Sequence, residues 1–142
     1  MTDTQARSGS VPQGNSTTFY PKAESTFLIG TPVVPISGAS GTVTPASAII
    51  DNTAHVVGIA SGAGVEGNSV PVQYAGPLEL STAQWDAIDD DFDSGPGLAT
   101  GSVYYLSNTF GKITTTPQAI SVQIGIALSP TEMMIQIGEP IG

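Results

Sequence analysis

The chain of 142 residues contains no cysteine, one histidine and only three lysine or arginine residues, against twelve aspartate or glutamate residues. Without cysteine there is neither a disulfide framework nor a thiolate zinc site. A single histidine excludes a multi-histidine metal site within one chain. Three cations cannot neutralise a row of phosphates, so we expect no nucleic-acid binding. The formal net charge of −9 also argues against adsorption to an anionic membrane.

Long apolar runs are missing as well. No stretch approaches the roughly 20 apolar residues that span a bilayer. Residues 1–5 have neither the basic nor the apolar region of a secretory signal, so we expect none. The length and the hydrophobic fraction of 39% are typical of one folded domain, or of a smaller domain with a tail.

Residues 1–26 are rich in Ser, Thr, Gly, Gln and Asn and show neither a helical nor a strand period. They include two of the three cations, Arg7 and Lys22, and one isolated aromatic pair, Phe19 and Tyr20. We interpret them as an extended N-terminal arm, either a disordered leader or a segment that orders on a partner. In the second case Arg7, Phe19, Tyr20 and Lys22 are the candidate partner-binding residues, with the two aromatic side chains as anchors.

Residues 27–142 have the pattern of an all-β domain. Short β-branched and apolar runs alternate with Gly, Pro, Asn and Asp at a spacing of about 8–12 residues, which predicts a small β-barrel or sandwich. The clearest strands are predicted at 101–107, 112–116, 120–128 and 133–137. Within 120–128 the apolar residues strictly alternate, which predicts that one face is buried. That face would carry Ile120, Val122, Ile124, Ile126 and Leu128.

Several shorter elements are predicted with less regular patterns. Residues 27–29, 49–50, 55–60 and 70–74 read as strands. Residues 32–36 read as an edge strand at best, because proline cannot donate to a neighbouring strand.

A helix is predicted from residue 81 to about residue 88. Ser81 precedes it and Gln84 follows three residues later, which is the spacing of a capping box. Trp85 on this helix is expected to plug one end of the β core.

Candidate catalytic motifs lack the structural context that their chemistry needs. Gly62, Gly64 and Gly67 match a dinucleotide-binding string, but a strand pattern follows where a helix should begin, so a loop is predicted. Asp51 and His55 lack a serine in a nucleophile-elbow motif. A glycosidase needs two carboxylates, and the chain has enough glutamates, but their spacing in the sequence does not fix the distance between them. The sequence therefore predicts no catalytic residue and no cofactor.

An acidic cluster stands out at residues 89–93. Asp89, Asp91 and Asp93 resemble the opening of a calcium loop, but Ser94 and Thr100 stand where an EF-hand needs glycine and glutamate. We interpret the cluster as a solvated loop, with weak cation binding or contact with a basic partner as the alternatives. No metal site is predicted.

Three C-terminal segments resemble a β-module that recurs in structural proteins of tailed phages. They are GLATGSVYYLS at 97–107, GKITTTP at 111–117 and VQIGIALS at 122–129. LSTAQWDA at 80–87 is similar to the segment that precedes the module in those proteins.

VGIA at 57–60, followed by a Gly-rich stretch and VPVQ at 70–73, looks like the repeated core of phage head decoration (cement) proteins. This resemblance implies a small β-barrel or sandwich without enzyme activity that attaches to an assembled capsid, often as a trimer. The implied partner is the major capsid protein, together with self-association as a homotrimer. The implied location is the capsid exterior of the virion, after synthesis in the host cytoplasm.

The composition and the residue pattern of the chain are compatible with this resemblance. An adhesive protein needs no catalytic pair, and a flexible arm and symmetric copies would supply many weak contacts. The alternative is a glycan- or receptor-binding β-domain of a phage tail or spike. That protein would use Trp85, Tyr74 or Tyr104 as a stacking surface.

Overall fold

A computed structural model describes residues 17–36, 38, 41–90 and 96–141. Within these ranges the chain forms two β-sheets, of six and five strands, and two short helices. The predicted all-β class is confirmed. Of the two architectures predicted, the fold agrees with the sandwich, because the strands lie in two sheets and do not close into one barrel.

The first sheet is built from the N-terminal half of the chain. Its strands are β1 (Thr18–Phe19), β2 (Lys22–Ala23), β3 (Pro32–Pro35), β4 (Thr42–Pro45), β5 (Gly58–Ala60) and β6 (Val72–Gln73). Their order across the sheet is β1-β6-β5-β3-β4-β2. Helix α1 (Asp51–Ala54) lies between β4 and β5 along the chain.

The second sheet follows directly in the sequence. Its strands are β7 (Ala75–Glu79), β8 (Val103–Leu106), β9 (Ile113–Thr114), β10 (Gln123–Ala127) and β11 (Glu132–Gln136). They lie in the order β7-β11-β10-β8-β9, and every pairing is antiparallel. The predicted strands at 101–107 and 112–116 pair as β8 with β9, and those at 120–128 and 133–137 pair as β10 with β11, so each two form a hairpin.

Residues 18–27 run antiparallel to residues 64–73 in one unbroken register. The opposed pairs are Thr18–Gln73, Phe19–Val72, Lys22–Ser69 and Phe27–Gly64. On its other side β2 pairs in parallel with β4. The segment 18–23 therefore contributes a strand to each edge of the first sheet, with only Tyr20 and Pro21 between the two strands.

This pairing places part of the predicted arm inside the fold. Residues 17–26 were assigned to the arm 1–26, yet β1 and β2 lie in the first sheet and Ala23 is buried. Strands of two residues are too short to show an alternating pattern, so the sequence does not reveal them. Residues 1–16 lie outside the described residues.

The first sheet is apolar on both faces. Val33 and Val34 are neighbours in β3 and are both buried, although successive side chains of a strand point to opposite sides. Val34 joins the larger core between the two sheets. Val33 joins a second, smaller cluster on the other face, made of Ala23, Phe27, Val33, Val43, Ala60, Val70 and Val72.

Helix α2 (Thr82–Ile88) closes one part of the larger core. Ser81 Oγ accepts a hydrogen bond from the Gln84 amide at 3.1 Å, and Gln84 Oε1 accepts one from the Ser81 amide at 2.9 Å, so the predicted capping box is confirmed. The helix ends at Ile88, as predicted. Trp85 is 1% exposed and its indole N–H donates to the Thr131 carbonyl at 2.8 Å, which confirms its predicted place in the core.

The alternation predicted along residues 120–128 holds only in part. Val122 and Ile124 are buried, but the register against β8 shifts between Gln123 and Gly125. A bulge of this kind moves the following side chains to the other face. As a result Ala127 is buried, whereas Ile126 is half-buried and Leu128 is 45% exposed.

Two further strand predictions are wrong. Residues 32–36 were expected at an edge, but β3 lies between β5 and β4, because its prolines stand at the two ends of the strand and leave the amides of Val33 and Val34 between them. Residues 49–50 were expected in a strand, but they form a bend. Thr53 stabilises this bend, because its Oγ1 donates to the Ser47 and Ile50 carbonyls at 2.8 and 3.1 Å.

Neither helix among the described residues is long or apolar enough to cross a membrane.

Because residues 18–27 pair in one unbroken register, two truncated chains should differ strongly in their free energy of unfolding. A chain that begins at Thr17 keeps every described contact. A chain that begins at Phe27 loses at least six backbone hydrogen bonds, those of the Lys22, Ala23, Glu24, Gly67, Val70 and Tyr74 amides. At about 1 kcal/mol of net stability each, the loss of these six is about 6 kcal/mol. Urea unfolding of the two chains measures the difference, and equal midpoints would contradict the pairing.

Two glycines with the same backbone conformation give a matched pair. Gly97 has φ +85° and Gly101 has φ +86°, so alanine is strained at both by about 1–2 kcal/mol. A Cβ on Gly97 would lie 2.5 Å from the Pro130 carbonyl oxygen, whereas nothing lies within 4 Å of one on Gly101. We expect Gly97→Ala to lower the free energy of unfolding by about 2 kcal/mol more than Gly101→Ala. Equal losses in urea denaturation would contradict the close packing of Gly97 against Pro130.

Candidate functional site

The four predicted partner-binding residues do not all lie together. Arg7 lies outside the described residues. Phe19 is in β1 and is 37% exposed, Tyr20 follows it and is 68% exposed, and Lys22 is exposed in β2. These three belong to the segment that joins the two edges of the first sheet, so they are held by the fold and do not lie on a detached arm.

Phe19 is half of an aromatic pair. It lies directly opposite Val72, and Tyr74 is two residues further along the same strand direction, so the two rings are on one face. Their centroids are 6.3 Å apart with an angle of 51° between the ring planes. The Tyr74 amide donates to the Thr17 carbonyl at 2.9 Å and holds the pair together. Tilted aromatic pairs of this geometry contribute about 0.5–1.5 kcal/mol beyond their buried area.

A groove of about 260 Å³ opens beside Phe19. It lies at one end of the smaller core, where the segment 18–23 meets β4. None of its lining residues is charged, and most are apolar. They are Phe19, Pro21, Pro35, Ile36, Gly41, Thr42, Val43 and Val57. We call Phe19, Tyr74 and this groove the aromatic surface.

Tyr20 lies outside the aromatic surface. It follows Phe19 directly, so its side chain leaves the strand on the opposite side. Its exposure of 68% leaves it accessible to a partner from that side. The structure therefore separates the two predicted aromatic anchors.

A second apolar groove has no signal in the sequence. It has a volume of about 160 Å³ and lies between the end of α2, the turn at 108–111 and residues 27–31. Leu28 and Phe110 line it and are each 55% exposed. Lys112 borders it, with its ammonium group donating to the Ala87 carbonyl at 3.1 Å. Phe110 lies in the turn between β8 and β9, where an apolar side chain gives no periodic signal.

The acidic cluster is partly structural. Asp89 is only 6% exposed, which contradicts its predicted place in a solvated loop. The Asp90 carboxylate accepts hydrogen bonds from Ser107 Oγ at 2.6 Å and Thr109 Oγ1 at 3.0 Å, so it secures the turn after β8. Asp91 and Asp93 lie outside the described residues. In the described part of the chain no three His, Asp or Glu side chains are grouped as they would be around a metal ion.

Two of the residues considered for sugar stacking are buried. Trp85 is 1% exposed and Tyr104 is fully buried, with its hydroxyl accepting from the Ala99 amide at 2.8 Å. Among the three candidates, Tyr74 alone presents its ring, at 45% exposure.

The glycine string at 62–67 forms a loop, as predicted, and is followed by β6. Gly64 exchanges two backbone hydrogen bonds with Phe27, at 2.8 and 3.1 Å. A Cβ at Gly64 would lie 2.5 Å from the Phe27 ring. This glycine therefore serves the close approach of the two segments.

Comparison of the chain with models of known protein families and with curated proteins gives no match.

The burial of the single tryptophan predicts a spectroscopic result. Trp85 should emit at short wavelength and resist quenching by iodide, because its indole ring is enclosed in the core and bonded to Thr131. Addition of soluble oligosaccharides should leave the emission unchanged. Emission like that of free tryptophan, with full quenching by iodide, would contradict this position. Urea-unfolded chain is the reference for the exposed state.

Proposed function

We propose that this chain is a structural protein of a phage virion that binds the outside of the assembled capsid and stabilises it, as a decoration or cement protein. The resemblance of residues 47–139 to phage structural modules supports the class of protein. The observation that carries the proposal is the aromatic surface, in which Tyr74 is bonded to Thr17, the residue before β1.

The aromatic surface has the composition of a protein-binding site. Aromatic residues are enriched in protein interfaces, and the largest losses on truncation come from such residues at the centre of a contact. Phe19 and Tyr74 keep more than a third of their surface accessible although they pack on one another. The uncharged groove beside them gives a partner side chain a desolvated place to bind.

The proposed partner is the major capsid protein, and the proposed state is a homotrimer on the capsid exterior. Each copy offers one modest surface, so a single contact gives limited affinity. Three linked copies that engage one capsid position raise the overall affinity without new contacts. Closed cyclic symmetry is the usual form of such an assembly.

We propose adhesion, and not catalysis, as the work of the chain. His55, its single histidine, is exposed at the end of α1. Asp86 and Asp90 both accept hydrogen bonds that secure turns. The two carboxylates therefore stabilise the fold, and His55 lies on its surface.

The alternative is a glycan- or receptor-binding domain of a phage tail or spike. The exposed ring of Tyr74 beside Phe19 favours it, since a tilted aromatic pair can stack against a sugar. Trp85 and Tyr104 cannot form part of its stacking surface, because both are buried. A glycan array decides this point: specific glycan binding that Tyr74→Ala abolishes would support the alternative over capsid attachment.

Binding to capsids tests the proposal. Phe19→Ala and Tyr74→Ala should each weaken co-sedimentation of the purified chain with assembled heads by about tenfold or more, because each removes a central aromatic anchor. Phe110→Ala is the matched control, since it removes an aromatic side chain that is 55% exposed in the other groove. It should bind as the wild type does.

Two results would overturn the proposal. One is wild-type binding by both Phe19→Ala and Tyr74→Ala. The other is a density map of the intact virion that places the chain elsewhere than on the capsid exterior. Circular dichroism of each variant separates lost binding from lost folding.

A further inference from the structure

Gln73 and Tyr74 point to opposite faces of the first sheet. Val72, the residue before Gln73, belongs to the smaller core, and neighbouring residues of a strand alternate in direction. Gln73 therefore points towards the second sheet, on the face of Ile59, which lies opposite it and belongs to the larger core. Tyr74 points outwards, where its ring packs against Phe19. The Gln73 side chain and the aromatic surface thus lie on two sides of one corner of the chain.

The corner between the two sheets is a single residue. β6 ends at Gln73 and β7 begins at Ala75, so only Tyr74 lies between the two strands. On one side the Tyr74 amide donates to the Thr17 carbonyl at 2.9 Å, which ties the corner to the residue before β1. On the other side the Gln73 side chain reaches across to β7. The direction of the Tyr74 ring therefore depends on how tightly this corner is held.

The Gln73 side chain closes the corner with two hydrogen bonds. Its Nε2 atom donates to the Ala75 carbonyl and to the Pro77 carbonyl, each at 2.9 Å. The Leu80 amide bonds to Thr131 on the inner side of β7, so by alternation the odd-numbered residues turn their carbonyls away from β11. Gln73 therefore bonds to two carbonyls of β7 that do not pair with β11.

Gly76 brings these two carbonyls within reach of one nitrogen. Two oxygens that each lie 2.9 Å from Nε2 are no more than twice that distance apart. In a regular strand, equivalent atoms two residues apart are separated by about 6.6 Å. Gly76 has φ +86°, a conformation that residues with a side chain rarely adopt, and it shortens β7 at this point. The glycine and the glutamine therefore form one closed corner.

We propose that Gln73 is a positioning residue of the aromatic surface: its two hydrogen bonds to β7 fix the corner and thereby hold the Tyr74 ring against Phe19. Its role in binding rests on the proposed function, but its role at the corner is a property of the free chain. A partner meets two rings that are already oriented, so less ordering is needed when it binds. The second sheet thus contributes, through β7, to a binding surface on the first sheet.

Two substitutions of Gln73 remove its hydrogen bonds in different ways. Gln73→Ala removes the amide. Gln73→Glu keeps the size of the side chain but turns two acceptor oxygens towards the two carbonyls. Neither substitution touches the backbone pairing of β7 with β11, so we expect both variants to keep the fold. An effect shared by both variants is therefore due to the lost donors and not to lost packing.

Hydrogen exchange of the free chain, measured by nuclear magnetic resonance, tests the proposal. In both Gln73 variants the Tyr74 amide should exchange about tenfold faster than in the wild type or more, because the corner opens more readily. The Val70 amide donates to the Pro21 carbonyl in the same pairing of segments, and it should exchange as in the wild type. The contacts between the Tyr74 and Phe19 rings should weaken in parallel.

Gln123→Ala is the matched control. Gln123 is also a half-buried glutamine, with its Nε2 3.4 Å from the Gln136 carbonyl, but it lies in β10, two strands away from β7. Its loss should leave the exchange of the Tyr74 amide unchanged. Wild-type exchange of Tyr74 in both Gln73 variants would overturn the proposal. Equal acceleration at Val70 and Tyr74 would overturn it too, because that is loss of the whole pairing of β1 with β6.

Capsid binding separates this role from the proposed function. Gln73→Ala should weaken co-sedimentation with assembled heads by about threefold or more, and it should have no further effect on a chain that already carries Tyr74→Ala. Additive losses, or full binding by Gln73→Ala where Tyr74→Ala binds weakly, would contradict a role through Tyr74. Wild-type binding by both Phe19→Ala and Tyr74→Ala would overturn the proposed function instead, and the exchange of the Tyr74 amide would still decide the role of Gln73.

Discussion

The pairing of residues 18–27 with residues 64–73 is the interaction on which the rest of the structure depends. The strands of the first sheet are two to four residues long, and strands so short have little stability by themselves. The N-terminal segment joins both edges of that sheet and covers the smaller core beneath it. It also sets Phe19 beside Tyr74, so the candidate binding surface exists only because this register forms.

The sequence predicts the second half of the chain better than the first. The helix at Thr82–Ile88 carries its own start signal in Ser81 and Gln84, and the hairpins carry turn residues, so local chemistry is sufficient there. β1 and β2 are two-residue strands that form by pairing with residues distant in the sequence, so no local pattern predicts them. The bulge at Gln123–Gly125 likewise interrupts a perfect alternation, and it is visible only in the register against β8.

The candidate surface shows the same division. Phe19 stands out in the sequence as an aromatic residue in a polar segment, and in the fold it is 37% exposed. Tyr74 and the groove become its neighbours only through the fold, and Tyr20 leaves on the other side of the strand. Composition indicates which side chains are unusual, but the sheet register decides which of them form one surface.

The position of the pairing segment in the chain has a consequence for synthesis. Residues 18–27 leave the ribosome well before their partners at 64–73. Until residues 64–73 are made, Phe19 and Phe27 lack the residues that lie opposite them, Val72 and Gly64, and the smaller core cannot be completed. The first sheet is therefore completed only when β6 pairs with β1, and contacts so distant along the chain form slowly. Among the described strands of this sheet, the one that is made first is among the last to be paired.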